Sequence, residues 1–303
     1  MSAELVAMIY LLNLSTGCVC IPGCRVQRPL SDDDRGLLSV IVSKRMLTSV
    51  DEGCKIWIDG SIDAFLQNGT QAEQNFFAQH GLVQSLIREL CDDRRGRRFV
   101  DSYHRSFDLL GTLCKFNFEM FEMLEEEFEK DSGRMQRFFK AATTDLVDSN
   151  IFLRFAILSF KKFGDELKLT LQKYSPERYN RICHGRLAKY LDANKQQLLK
   201  DLISCLRVDE VNQKNMCCLN TLVAILMTAS DNSDFTQLSE DLKRHQFVSG
   251  HEVTNADQAL KQLLDIWRDY HKFRALDGLS LEQSHHIPFR IWRETVERLY
   301  NIL

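Results

Sequence analysis

The sequence predicts an all-α fold, an armadillo/HEAT-like helical-repeat solenoid wound as a right-handed α-α superhelix. Three observations predict it. Turn residues are scarce: 303 residues hold only 4 prolines and 14 glycines, too few for the many turns of a β-sandwich or a doubly wound sheet. Apolar residues recur at helical spacing along most of the chain. One helical pattern also returns after 47 residues, from Leu109 to Ala156, at the upper end of the ~40–47 residues of such repeats.

Composition narrows the functional classes. With 44% hydrophobic and 27% charged residues the chain has a globular balance, which excludes a disordered one. Lys and Arg number 39 against 42 Asp and Glu, a net charge of -3, so binding driven by phosphate neutralisation is not expected. No apolar run approaches the ~18 residues of a membrane-spanning helix. Neither nucleic acid nor membrane insertion is therefore an expected partner.

Residues 1–30 read as a disordered or atypical N-terminal segment outside the repeat domain, which is expected over 31–303. Ala3 to Leu14 is apolar, but only Glu4 precedes its core, and a signal peptide needs a basic start. Cys18, Cys20 and Cys24 lack paired CxxC spacing and a nearby His, so they do not read as a zinc site. Pro22 and Pro29 flank Arg25 and Arg28 in a linker-like stretch.

Helices then follow one another. Ser31-Asp32-Asp33-Asp34 is an acidic start signal, since carboxylates favour the positive end of the helix dipole. Leu37, Leu38, Ile41 and Val42 form its stripe. Trp57, Ile58, Ile62, Phe65 and Leu66 form the next, closed by Gly69, with Thr70 opening a third helix. Gly81-Leu82-Val83 enters a helix carrying Leu86, Ile87 and Leu90. After the charged break Asp92 to Arg98 comes a long helix containing Ser106 to Asn117, whose Gly111 is small enough to admit a neighbouring helix. Phe138-Phe139-Lys140, a loop, and a helix with Leu153, Ala156, Ile157, Leu158, Phe160 and Phe163 repeat that order. Cys217 to Met227 ends a third unit after a longer gap containing Pro176, which reads as an insertion or extra helix. The tail holds two aromatic helices, one with Trp267 and one with Trp292.

Catalytic signatures are missing. The chain has no GxxxxGK[ST], GxGxxG, GxSxG or HExxH motif and no EF-hand loop. His245 and His251 are six apart, and His285 and His286 are adjacent; neither pair shares a helical face. Glu125-Glu126-Glu127, Asp145 with Asp148, and Arg94 to Arg98 read as solvated charge. No metal, no cofactor and no enzymatic activity are expected. The ten cysteines read as thiols of a cytosolic protein, with Cys91, Cys114, Cys205 and Cys218 as buried small apolar residues.

Six stretches carry a resemblance: Ile62 to Leu66, Ser106 to Gly111, Lys115 to Asn117, Leu146 to Asn150, Cys218 to Thr221, and Ile291 to Val296. In order and spacing they resemble the C-terminal portion of the transient receptor potential channel 4-associated protein (TRUSS) family, from about Asp34 onward. The resemblance implies a non-catalytic substrate receptor of a cullin-4 RING ubiquitin ligase, joined through its adaptor, which binds C-terminal degrons carrying an arginine near the end. The adaptor contact is one that the longer family members could make through a region outside this chain. The alternative it implies is a scaffold at the tumour necrosis factor receptor or a calcium channel. The expected location is cytoplasmic, with a perinuclear pool as a further expectation.

Such a peptide needs a carboxylate for its guanidinium and donors for its terminal carboxylate. On the long helices, Asp108 and Asp148 are candidates for the first role. Lys115, Asn117, Asn150 and Asn220 are candidates for the second. Asp148-Ser149-Asn150 reads equally as an N-cap, and buried asparagines often serve backbone groups.

Overall fold

A computed structural model describes residues 32–46, 52–66, 69–91, 100–147, 151–164, 175–206 and scattered positions from 217 to 265. The helices of the first unit are α1 (Asp32–Met46), α2 (Glu52–Leu66), α3 (Gln71–Gln79), α4 (Leu82–Leu90), α5 (Val100–Cys114), α6 (Phe118–Lys130), α7 (Ser132–Lys140), α8 (Phe152–Lys162) and α9 (Pro176–Cys183). A π-helical turn, Ala141–Asp145, extends α7. The sequence reads as one repeat domain over 31–303; the chain groups into two compact units, 1–145 with 150–189, and 146–149 with 190–303. Helix α10 (Arg186–Ala193) spans the boundary between them. Residues 1–30, the Asp92 to Arg98 break, the histidine pairs, and Trp267 and Trp292 lie outside the described residues.

The fold is all-α and repetitive. In the first unit helices pack on the helix three along: α2 on α5 and α5 on α8, α3 on α6 and α6 on α9, α4 on α7. Glu52 to Val100 and Leu66 to Cys114 are both 48 residues, and Gln71 to Phe118 is 47. Pro176 therefore lies neither in an insertion nor in an extra helix. It opens α9, which packs on α6 as α6 packs on α3. The missing N–H of proline costs nothing at a first helical position.

Local chemistry sets the helix boundaries. Thr70 and Glu73 form a reciprocal capping box at the start of α3: Thr70 Oγ1 accepts from the Glu73 amide, and Glu73 Oε2 accepts from the Thr70 amide. Gly81 opens α4 at φ 83°, a left-handed conformation that glycine adopts without a Cβ penalty. Asp131 caps α7 by accepting from the Arg134 amide at 3.0 Å. The apolar stripes then bury Leu38, Ile41, Ile58, Ile62, Phe65, Leu86 and Leu90. A chain of phenylalanines fills the space between helices. Phe138 meets Phe107 at 5.3 Å, Phe152 at 5.2 Å and Phe128 at 5.1 Å between ring centroids, within the range of favourable aromatic pairs.

Three side-chain expectations are corrected. Trp57 is 66% exposed. It precedes Ile58 by about 100° of helix rotation and shares its face with Gly53, Gly60 and Ala64, none of which is buried. Glu125 and Glu127 are buried instead of forming a solvated run. Glu127 pairs with Lys130 and Arg134, and Glu125 accepts from the Arg186 and Leu187 amides at 3.1 and 2.9 Å, capping α10. Glu126 stays outside with Arg181. Cys205, the last residue of its helix, is half-buried; Cys91, Cys114 and Cys218 are buried thiols as expected.

One charged cluster is enclosed by α1, α2 and α4. The Arg45 guanidinium donates to both carboxylate oxygens of Asp59 (2.8 and 3.1 Å), both of Glu89 (2.9 and 2.7 Å) and Ser85 Oγ (3.2 Å). Lys55 adds a contact to Glu89 at 3.3 Å. Burial holds the Asp59 carboxyl above its ordinary range despite the Arg45 charge beside it.

The second unit contains α11 (Lys195–Cys205), which buries Leu198, Leu199, Leu202 and Ile203. The Cys218 thiol donates to the Leu202 carbonyl, and Cys217, Asn220, Thr221, Leu222, Ala224 and Ile225 are buried around it. A three-residue antiparallel hairpin, β1 (Phe247–Ser249) with β2 (Glu252–Thr254), pairs Val248 with Val253. Among the described residues no helix is long and apolar enough to cross a membrane.

Two stability measurements follow from this packing. A Cβ at Gly111 would sit 3.0 Å from the Cα and N of Phe152, backbone atoms that cannot swing away. Gly111→Ala is expected to lower stability by about 1–3 kcal/mol in urea unfolding despite its better helix propensity; unchanged or higher stability would show that α5 and α8 have room to spare. Arg45→Met leaves Asp59 buried beside Glu89 and is expected to cost about 3 kcal/mol. Adding Asp59→Asn should recover part of that loss in the same assay.

Candidate peptide-binding face

The long helices α2, α5 and α8 lie side by side, and polar residues interrupt their apolar stripes where they meet. Thr112 Oγ1 on α5 donates to Asp63 Oδ1 on α2 at 2.6 Å. Asp108 Oδ1 on α5 accepts from the Ile151 amide at 3.2 Å. Ile151 is the N-cap residue of α8 and makes no side-chain cap of its own, so Asp108 supplies the acceptor from the neighbouring helix. Ser159 Oγ on α8 in turn accepts from the Phe116 amide at 2.9 Å, just past the end of α5. Phe116 sits there at φ 54°, the left-handed turn that commonly closes a helix.

Charge gathers at the same place. Asp108 is half-buried and Arg105, one turn before it, is exposed. Burial first, and the nearby Asp63 carboxylate second, push the Asp108 carboxyl up to about 7 against the Ile151 amide, Arg105 and Arg154. Burial and the Arg154 charge lower the Lys115 ammonium to about 8, with Asp63 acting against them. Arg154 is buried, and its guanidinium and Lys115 Nζ lie 5.3 and 5.7 Å from the Phe155 ring centroid. An acid and a base with shifted titration thus lie about two helical turns apart along this edge.

The sequence-predicted residues fall in different settings. Asp108 and Lys115 belong to this face. Asn117 follows Lys115 closely but is buried; its amide donates to Gln74 Oε1 at 3.0 Å and Asn75 Oδ1 at 2.7 Å. Gln74 passes the network on to the Thr112 and Lys115 carbonyls. Asn220 is fully buried in the second unit. Asp148 and Asn150 lie outside the described residues. Sequence reasoning missed Asp63, Thr112, Ser159 and Arg154 as partners. Their signal was present: polar residues set within apolar helical runs.

The chain matches, over residues 21–244, the family described as "Protein of unknown function (DUF3689)". It belongs to that family. It is also 28% identical over 277 residues to the "Short transient receptor potential channel 4-associated protein" of Homo sapiens, and equally to that of Mus musculus. The alignment covers 89% of this chain and 33% of each relative, so the chain spans about a third of the length of the curated relatives it matches. No solved structure matches it. The described residues have the all-α helical-repeat fold that the TRUSS-like stretches implied.

The raised Asp108 carboxyl has a measurable consequence. The folded protein keeps a proton there that the unfolded chain releases near pH 4. The stability this contributes is full below about pH 4 and is lost as pH rises towards 7. Asp108→Asn keeps an oxygen acceptor for the Ile151 amide and has no proton to lose. The variant is expected to melt higher than the parent at pH 7.5 and to flatten the decline between pH 4 and 7. Parallel curves for the two proteins would place the titrating group elsewhere.

Proposed function

We propose that this chain is a non-catalytic adaptor that binds protein partners through its helical repeats. The carrying observation is its 28% identity, over 89% of its length, to proteins named for their association with a channel. The finer reading is a substrate-recognition module of a cullin-4 RING ubiquitin ligase, which captures C-terminal degrons for ubiquitin-dependent degradation in the cytoplasm. The α5 face supports it chemically. A peptide with an arginine near its C-terminus carries a guanidinium and a carboxylate close together. Asp108 offers an acceptor for the first, and Lys115 a donor for the second.

The second reading is a scaffold at a calcium channel or the tumour necrosis factor receptor with no ligase role; the relatives' printed name favours its channel half. Co-purification with the cullin-4 adaptor separates the two: capture supports the ligase module, and capture of channel or receptor without adaptor supports the scaffold.

The site itself is tested by titrating a degron-like peptide against folded Asp108→Ala. Loss of one charge-assisted contact is expected to cost roughly 1.5–3 kcal/mol, about ten- to a hundredfold in affinity. Because Asp108 also caps α8, Asp108→Asn serves as the control that preserves the acceptor but not the charge. Parental affinity in both variants would exclude Asp108 as the arginine site.

A further inference from the structure

The four prolines are preceded by Ile21, Arg28, Ser175 and Ile287. Ser175-Pro176 is therefore the single Ser-Pro or Thr-Pro step in the sequence. It continues as Ser175-Pro176-Glu177-Arg178, with a guanidinium three residues after the hydroxyl. A proline fixes its own φ and biases the residue before it to extended backbone. A kinase that grips an extended chain can read that step, and a following cation gives it a charge to pair.

The structure leaves this motif within reach. Ser175 lies outside helical geometry, at φ -151° and ψ 64°, directly before α9, and its hydroxyl makes no capping hydrogen bond. Ser175 is half-buried, and Pro176, Glu177 and Arg178 are exposed. Arg178 also has a second task. Its Nε donates to Glu122 Oε1 at 2.7 Å and its Nη2 to Glu122 Oε2 at 2.5 Å, and its guanidinium lies over the Phe118 ring. Arg181 reaches Glu126 and Glu129 from the same helix. Helix α9 buries only Tyr179 and Ile182, so these ion pairs add to a small apolar contact in holding it on α6.

We propose that Ser175 is the phosphoacceptor of a proline-directed serine/threonine kinase, and that its phosphorylation draws Arg178 off Glu122 and loosens α9 from α6. In the transfer, Ser175 Oγ bonds to the γ-phosphorus of MgATP and the bond from that phosphorus to the bridging oxygen of ADP breaks. The hydroxyl proton leaves to the general base of the kinase. The product carries about -1.5 to -2 charges at pH 7 and three acceptor oxygens. The start of α9 favours that charge through the helix dipole, so the helix itself persists. The phosphate competes with Glu122 for Arg178 from three residues away. It also adds negative charge beside Glu119 and Glu122, which repel it.

The test treats the whole chain with a proline-directed kinase and MgATP and maps phosphate by tandem mass spectrometry. Phosphate on Ser175, absent from Ser175→Ala, is expected; an unmodified Ser175 overturns the assignment. Phosphorylated and unmodified protein are then compared by hydrogen exchange over 176–183 and by melting. Several-fold faster exchange and a Tm about 2 °C lower are expected. Glu122→Gln leaves the kinase motif intact; it should lower Tm alone and make the further effect of phosphorylation much smaller. Equal or slower exchange after phosphorylation overturns the release of α9.

Discussion

Helix ends in this protein are satisfied across repeats, and the stacking depends on that. A helix leaves four amides and four carbonyls without internal partners at its ends, and in a packed array many of those ends are buried. Ile151 caps α8 with no side chain of its own, and Asp108 of α5 supplies the acceptor. The amide beyond the end of α5 finds Ser159 of α8, and its last carbonyls find Gln74 of α3. Glu125 of α6 takes two amides at the start of α10. Each bond ties one repeat to the next, so register between repeats and termination of helices are one problem with one solution.

Close approach is the second half of the same constraint. A donor on α8 can reach an acceptor on α5 only if the backbones come near, and Gly111 permits this by presenting no Cβ to Phe152. Gly185 before α10 is also crowded: a Cβ there would collide with the Arg181 carbonyl oxygen and fall 2.6 Å from Glu125 Oε1. At Arg45, charge is admitted to the interior with every guanidinium nitrogen partnered. Arg45 spends its fork on Asp59, Glu89 and Ser85. Replacing such a pair with apolar residues is often neutral, whereas removing one partner is severe. The cluster therefore specifies how α1, α2 and α4 meet more than it adds stability.

The candidate binding face inherits this architecture. Asp108 is both a cap for the neighbouring helix and an acid poised near neutrality, so a ligand that takes its charge also acts on the α5–α8 junction. In the proposed site, binding and repeat stability would share a single carboxylate. In the same unit, α9 is held by exposed ion pairs and two buried side chains.

The sequence alone determined the fold class, because helical periodicity and scarce turn residues are local properties. The stripes through Ile58, Leu86 and Leu153, the capping box at Thr70, the turn at Gly81 and the role of Gly111 were all legible there. Resemblance in six short stretches was enough to point to the family. Tertiary structure decided everything that depends on which residues meet. Trp57 sits in an apolar run yet faces outward, and the Glu125 to Glu127 run looks solvated yet turns two carboxylates inward. Periodicity gives a side chain's angle about its own helix; it does not say which neighbour occupies that side. Asp108, read from sequence as a ligand contact, also caps a helix 43 residues away, because an orphan amide is a partner that only the packed chain can present.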